Sequence, residues 1–173
     1  MNKTLLPSQE LVEKIGILAS EYEMRYHGCA QCVLAALQEG FGIADRLTFK
    51  AATGLSGGIA RMGETCGALI GGLLAIGMIF GRESLEEASK SEEYQKTMDI
   101  SSILIHEFNK EFGSTKCKDI QTKLFGRYFN LNDPEQRKEF ALSGAYTQHG
   151  CPSVVKKAAT LTAKVILKNL NKQ

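Results

Sequence analysis

The sequence has no tryptophan and only three prolines among 173 residues. Pro7, Pro134 and Pro152 all fall at segment starts, so no helix-forming stretch is broken from within. Charge of one sign is also missing. The net charge is +2, and no basic run interrupts the mixed pattern. Lys156, Lys157, Lys164 and Lys168 read as the solvated face of a helix. Composition therefore gives no case for nucleic acid or an anionic membrane as partner. Alternating β-branched and aromatic residues, the mark of strands, are scarce. The longest apolar run, Cys66 to Phe80, is shorter than the roughly 20 residues of a membrane span. It reads as a buried core helix. Met1 to Ser8 lacks the apolar centre of a secretory signal, so a cytoplasmic chain is expected. In that compartment five cysteines do not make a structural disulfide framework. Redox chemistry, metal binding or simple burial remain.

What is abundant is Ala, Leu, Glu, Lys and Gln, which favour helices. The expectation is an all-α fold: one compact domain over 1–173, a bundle of about seven to eight helices. Pro7-Ser8-Gln9-Glu10 opens the first, with Leu11, Ile15, Leu18 and Tyr22 at helical spacing to about Arg25. A second starts near Cys29 and ends at Gly40 and Gly42. Asp45 caps a third, to about Gly54. Gly54 to Thr65 is too rich in glycine for a helix. It reads as a loop leading into the buried central helix, where Gly67, Gly71 and Gly72 admit a close neighbour. A long helix is expected from Ser84 to Gly113. A shorter one runs from Cys117 to about Phe125, another opens at Asp133-Pro134, and Cys151-Pro152 opens the last.

Four cysteines share one local setting. Cys29, Cys66, Cys117 and Cys151 each stand at a helix start. Free N–H groups there carry partial positive charge, which favours a thiolate. The thiolate is the form that attacks disulfides and binds soft metals. Cys32 completes a CxxC with Cys29, a weak dithiol signal without a βαβ setting. His27 and His149, each followed by Gly-Cys, are further candidate metal ligands or bases. His106 reads as structural. The glycine-rich loop is expected to line the shared site, with Gly58, Arg61 and Glu64 toward it. Gly67 leaves the first-turn N–H groups unshielded. For Cys66 the helix N-terminus is expected to outweigh burial and lower the thiol pKa.

The run Gly58 to Gly71 contains Cys66-Gly67-Ala68-Leu69-Ile70-Gly71, a CGAxxG motif. With Cys29-Ala30-Gln31, Phe112 to Cys117 and Cys151-Pro152, it resembles the C_GCAxxG_C_C family of redox-active proteins over about residues 20 to 165. The family's four characteristic cysteines map onto Cys29, Cys66, Cys117 and Cys151, with Cys32 an addition. The resemblance implies an all-helical fold and a redox or metal role. It also implies kinship with split-Soret cytochromes, which carry an iron–sulfur centre in the comparable helical part. Their haem-binding segments have no counterpart here.

The leading expectation is therefore a cysteine-held iron–sulfur cluster in an electron carrier or oxidoreductase. Zinc, a metal-free dithiol–disulfide pair and a non-catalytic helical binding protein are the alternatives. An unidentified redox partner is expected, and a homodimer stays open.

Overall fold

The computed structural model describes residues 8–171. Among them are eight α-helices and no strand beyond one isolated bridge. In chain order they are α1 (Ser8–Tyr26), α2 (Cys29–Phe41), α3 (Arg46–Ala51), α4 (Gly67–Phe80), α5 (Glu92–Phe112), α6 (Cys117–Phe125), α7 (Pro134–Leu142) and α8 (Cys151–Leu170). The all-helical bundle expected from composition is what forms. Pro7, the expected lead into α1, lies outside the described residues.

The ends follow local chemistry. Asp45 accepts from the Thr48 N–H to cap α3, and Asp133 accepts from the Glu135 and Gln136 N–H groups ahead of Pro134. Gly42, Gly113 and Gly126 end α2, α5 and α6 in the left-handed conformation. One start differs from expectation. α5 begins at Glu92, not Ser84, because Ser91 is the residue that caps it, accepting from Tyr94 N–H. Ser84 to Glu87 precede a short 3₁₀ turn, Ala88–Lys90.

α4 is the centre. It packs against α2, α5 and α8, while α1 packs on α2 and α8. Leu69 and Ile76 of α4, Val33, Leu34 and Leu37 of α2, Leu104 and Phe108 of α5, and Val155 and Ile166 of α8 are almost fully buried in one core. The glycines of α4 set how near its neighbours come. A Cβ on Gly71 would run into the backbone carbonyl of Ala30 on α2. α6 and α7 stand to one side and pack little on the other helices. α6 sets Ile120 into the large core, and a second, small core joins Phe129, Leu131, Phe140 of α7 and Ala145, with edge-on aromatic contacts from Phe125 and Tyr146. No described helix is long and apolar enough to cross a membrane.

Candidate cysteine site

Each of the four helix-start cysteines stands where the sequence pattern puts it. Cys29, Cys117 and Cys151 are the first residues of α2, α6 and α8, and Cys66 is the N-cap of α4. The backbone of the glycine-rich segment ties two of these starts together. Cys66 N–H donates to Thr115 O at 2.8 Å, and Cys117 N–H donates to Glu64 O at 2.7 Å. Thr65 and Lys116 form an antiparallel bridge between them. Cys151 is anchored by its N–H on Ala145 O at 2.8 Å.

These anchors bring all four cysteines to the wall of one cavity of about 570 Å³. It lies where α1, α2, α4 and α8 face α6, α7 and the segment before Cys151. Cys66 and Cys117 are buried, and Cys29 and Cys151 partly so. Gly67 permits the closest approach, since a Cβ there would lie 2.6 Å from Cys29 Sγ and 2.8 Å from Leu55 O. No two cysteines are joined by a disulfide. Among the described residues no three His, Cys, Asp or Glu side chains stand close enough to grip a single metal ion.

The glycine-rich segment lines this cavity through Gly54, Ser56, Gly57, Ala60 and Arg61. Its backbone is unusual. Gly57, Gly58, Ile59, Ala60 and Arg61 all have positive φ, between 49° and 73°. This amounts to a left-handed turn with three non-glycine members, costing on the order of 1–2 kcal/mol for each of those three. A β-branched Ile in that region is an outlier worth a functional question. Asn132 braces the turn by donating to Ala60 O at 3.3 Å. The turn places Arg61 on the cavity wall, and Arg137 of α7 reaches the same wall. Neither arginine is paired with an acid among the described residues.

Three expected members sit differently. Glu64 is exposed and absent from the wall; its backbone holds Cys117 while its side chain points elsewhere. His149 is exposed, beside Gln148 on another face. The His-Gly-Cys echo thus breaks in the backbone, because Gly28 has φ +90° and Gly150 has φ −89°. Gly58 is off the wall but needed behind it. Its φ is +73°, and a Cβ would lie 2.6 Å from Cys117 Cβ. His27 does reach the wall. Its Nδ1 donates to Glu23 O at 3.0 Å, and its ring stacks on Tyr146 at 3.7 Å.

Cys32 is buried but is not on the wall. Its thiol donates to His27 O at 3.2 Å and lies within reach of the Glu23 carboxyl. Glu23 is the residue the sequence pattern did not reveal. It is 3% exposed, lines the cavity, and has no partner for Oε2. The available signal was a charge on the core side of α1, following Val12, Ile15 and Ala19. Burial pushes its carboxyl up to about 7, partly offset by Cys32.

The thiols correct one expectation. Burial raises all of them, Cys29 to about 12, and Cys66, Cys117 and Cys151 above the usual thiol range. The Ala68 and Leu69 amides favour the Cys66 anion, but less than desolvation and the neighbouring sulfurs oppose it. The helix N-terminus therefore does not win on its own. The thiolates of Cys29, Cys66 and Cys151 are each opposed by others of the set, which reflects their shared location.

Four cysteines from four helix starts, with CGAxxG at the central one, define a class of helical redox proteins. The chain belongs to the C_GCAxxG_C_C family, described as "Putative redox-active protein (C_GCAxxG_C_C)", which it matches over residues 27–165. Comparison with curated proteins and with solved structures finds no match.

Proposed function

We propose that the four cysteines hold an iron–sulfur cluster and that the protein works as a redox protein through it. The observation that carries this reading is the convergence of Cys29, Cys66, Cys117 and Cys151, from four separate helix starts, on one cavity. The donor set suits a cluster, since thiolates are its usual ligands. The spacing favours a group wider than one ion, because no three donors surround a single point. This counts against tetrahedral zinc, whose four ligands close on one atom. The raised thiols count against a free dithiol nucleophile, which needs a thiolate near neutral pH.

When bound, a cluster supplies one-electron transfer at a potential set by its surroundings. The chain's residues supply those surroundings. Cys66 lies under the first-turn amides of α4, and Ser56 and Gly57 favour the anion at Cys29. Gln121 donates to Cys117 Sγ at 3.4 Å. Arg61 and Arg137 offset the negative charge that four thiolates bring. Cys66 and Cys117 are themselves buried.

The test is purification and reconstitution without oxygen, followed by visible absorption and iron and sulfide assays. Visible absorption that bleaches on reduction, with stoichiometric iron and sulfide, is the expected result (about four thiolates per cluster being the usual ligation). A colourless protein with zinc alone, or a metal-free protein with reversible loss of two thiols, would overturn it.

A further inference from the structure

Glu23 lies on α1, ahead of the segment 27–165 that matches the family. It continues a stripe whose other members, Val12, Ile15 and Ala19, are apolar and buried. A carboxyl on such a stripe needs a partner, because a buried polar atom left unpaired is destabilising. None is provided for Oε2 among the described residues. Cys32, the neighbour within reach, gives its own thiol to the His27 carbonyl. His27 uses Nδ1 on the backbone oxygen of Glu23, not on its side chain. What Glu23 does face is the cavity walled by the four cysteines.

We infer that Glu23 is a fifth residue of the site, hydrogen-bonded through Oε2 to the group that the four cysteines hold. This deepens the cluster reading and rests on it. Cluster and thiolate sulfurs accept hydrogen bonds, so Glu23 makes this contact as the carboxylic acid, with Oε2–H donating to sulfur, and such bonds are one lever by which a protein sets cluster potential and retention. Glu23 is the buried polar side chain on the wall with an atom to spare. It acts as a positioning residue: the cysteines hold the group, and Glu23 fixes its surroundings.

The test compares wild type, Glu23→Gln and Glu23→Leu, each reconstituted anaerobically with ferrous iron and sulfide. The readouts are iron and sulfide content, the EPR spectrum of the reduced form, the midpoint potential, and the melting temperature before and after loading. Wild type should gain thermal stability on loading. Metal-free Glu23→Leu should melt at or above metal-free wild type, because its unpaired oxygen is gone. Its gain on loading should be at least halved, and its EPR signal and potential should shift. Glu23→Gln keeps a hydrogen-bonding group of the same shape and should recover most of the gain. Should Glu23→Leu fail to fold, the more flexible Glu23→Met gives the same comparison. If wild type takes up no iron and sulfide, the cluster reading falls and this contact falls with it. If wild type loads and Glu23→Leu matches it in spectrum, potential and gain on loading, the Glu23 contact alone is overturned.

Discussion

Cys66 and Cys32 are both buried, yet only Cys66 faces the cavity. Replacing either sulfur by oxygen changes little volume. Burying the new hydroxyl costs about 1–3 kcal/mol if it finds no partner. Cys66→Ser should therefore keep its helical circular dichroism but lose most bound iron and sulfide. Cys32→Ser can still donate to His27 O, so it should retain both. The reverse pattern in iron, sulfide and thiol assays would make the CxxC the functional pair. Glu23 gives a pH prediction for the metal-free protein. Its carboxyl titrates near 7 when folded and near its ordinary 4.5 when unfolded. The folded state then binds more protons between those values, so stability falls as pH rises through that window. The full effect is about 3 kcal/mol, complete above the folded pKa. Chemical denaturation at pH 5 and pH 8 should show wild type weaker at pH 8, with most of the difference gone in Glu23→Gln. An equal difference in the variant would assign the pH dependence to other groups.

At the scale of elements, the glycines of α4 separate cleanly into two kinds. A Cβ on Gly67 meets Cys29 Sγ and the Leu55 carbonyl, whereas one on Gly77 meets nothing within 4 Å. Gly67→Ala should cost about 1–3 kcal/mol, because neither the sulfur nor the backbone can yield freely. It should also displace Cys29 and lower cluster uptake. Gly77→Ala should be stabilising by about 0.4–1 kcal/mol, since alanine restricts the unfolded chain and suits a helix. Urea midpoints for the two variants check both signs. Helix starts and stops were legible at this scale wherever a cap announced them, as at Asp45, Asp133, Gly42 and Gly113. Two features were not. The start of α5 turned on a choice between Ser84 and Ser91, and both look like caps in sequence. The left-handed turn at Gly57 to Arg61 includes Ile59, whose side chain disfavours positive φ, so only the surrounding hydrogen bonds dictate it.

On the whole-molecule scale, the all-helical class and the central place of α4 followed from composition and one apolar run. The common setting of four cysteines was legible too, because helix starts can be read residue by residue. Glu64 and His149 could not be placed, since a position beside the site does not tell which way a side chain turns. The upward direction of the thiol pKa values was equally hidden, because the depth of burial is a property of the assembled cavity. That cavity lies between two unequal parts. α1, α2, α4, α5 and α8 share one large core, which α6 joins through Ile120, while Phe129, Leu131, Phe140 of α7 and Ala145 form a small one with Phe125 of α6 at its edge. Few helix contacts join them. The links are the bridge at Thr65 and Lys116, the backbone bonds around Cys66 and Cys117, and the cavity wall. Cys151 packs against the smaller core, and Cys29 and Cys66 belong to the larger. A group held by all of them would cross-link the two parts and stabilise the assembled form by mass action. In the metal-free protein, amides of 117–142 should exchange much faster than those of α2 and α4, because a small core with few contacts opens locally. Anaerobic loading with iron and sulfide should slow exchange in 117–142 at least tenfold, which corresponds to about 1.4 kcal/mol of added local stability, while changing α2 and α4 less. Hydrogen exchange followed by mass spectrometry reads both regions in one experiment. Equal slowing throughout, or none in α6 and α7, would mean that the bound group does not bridge the two parts.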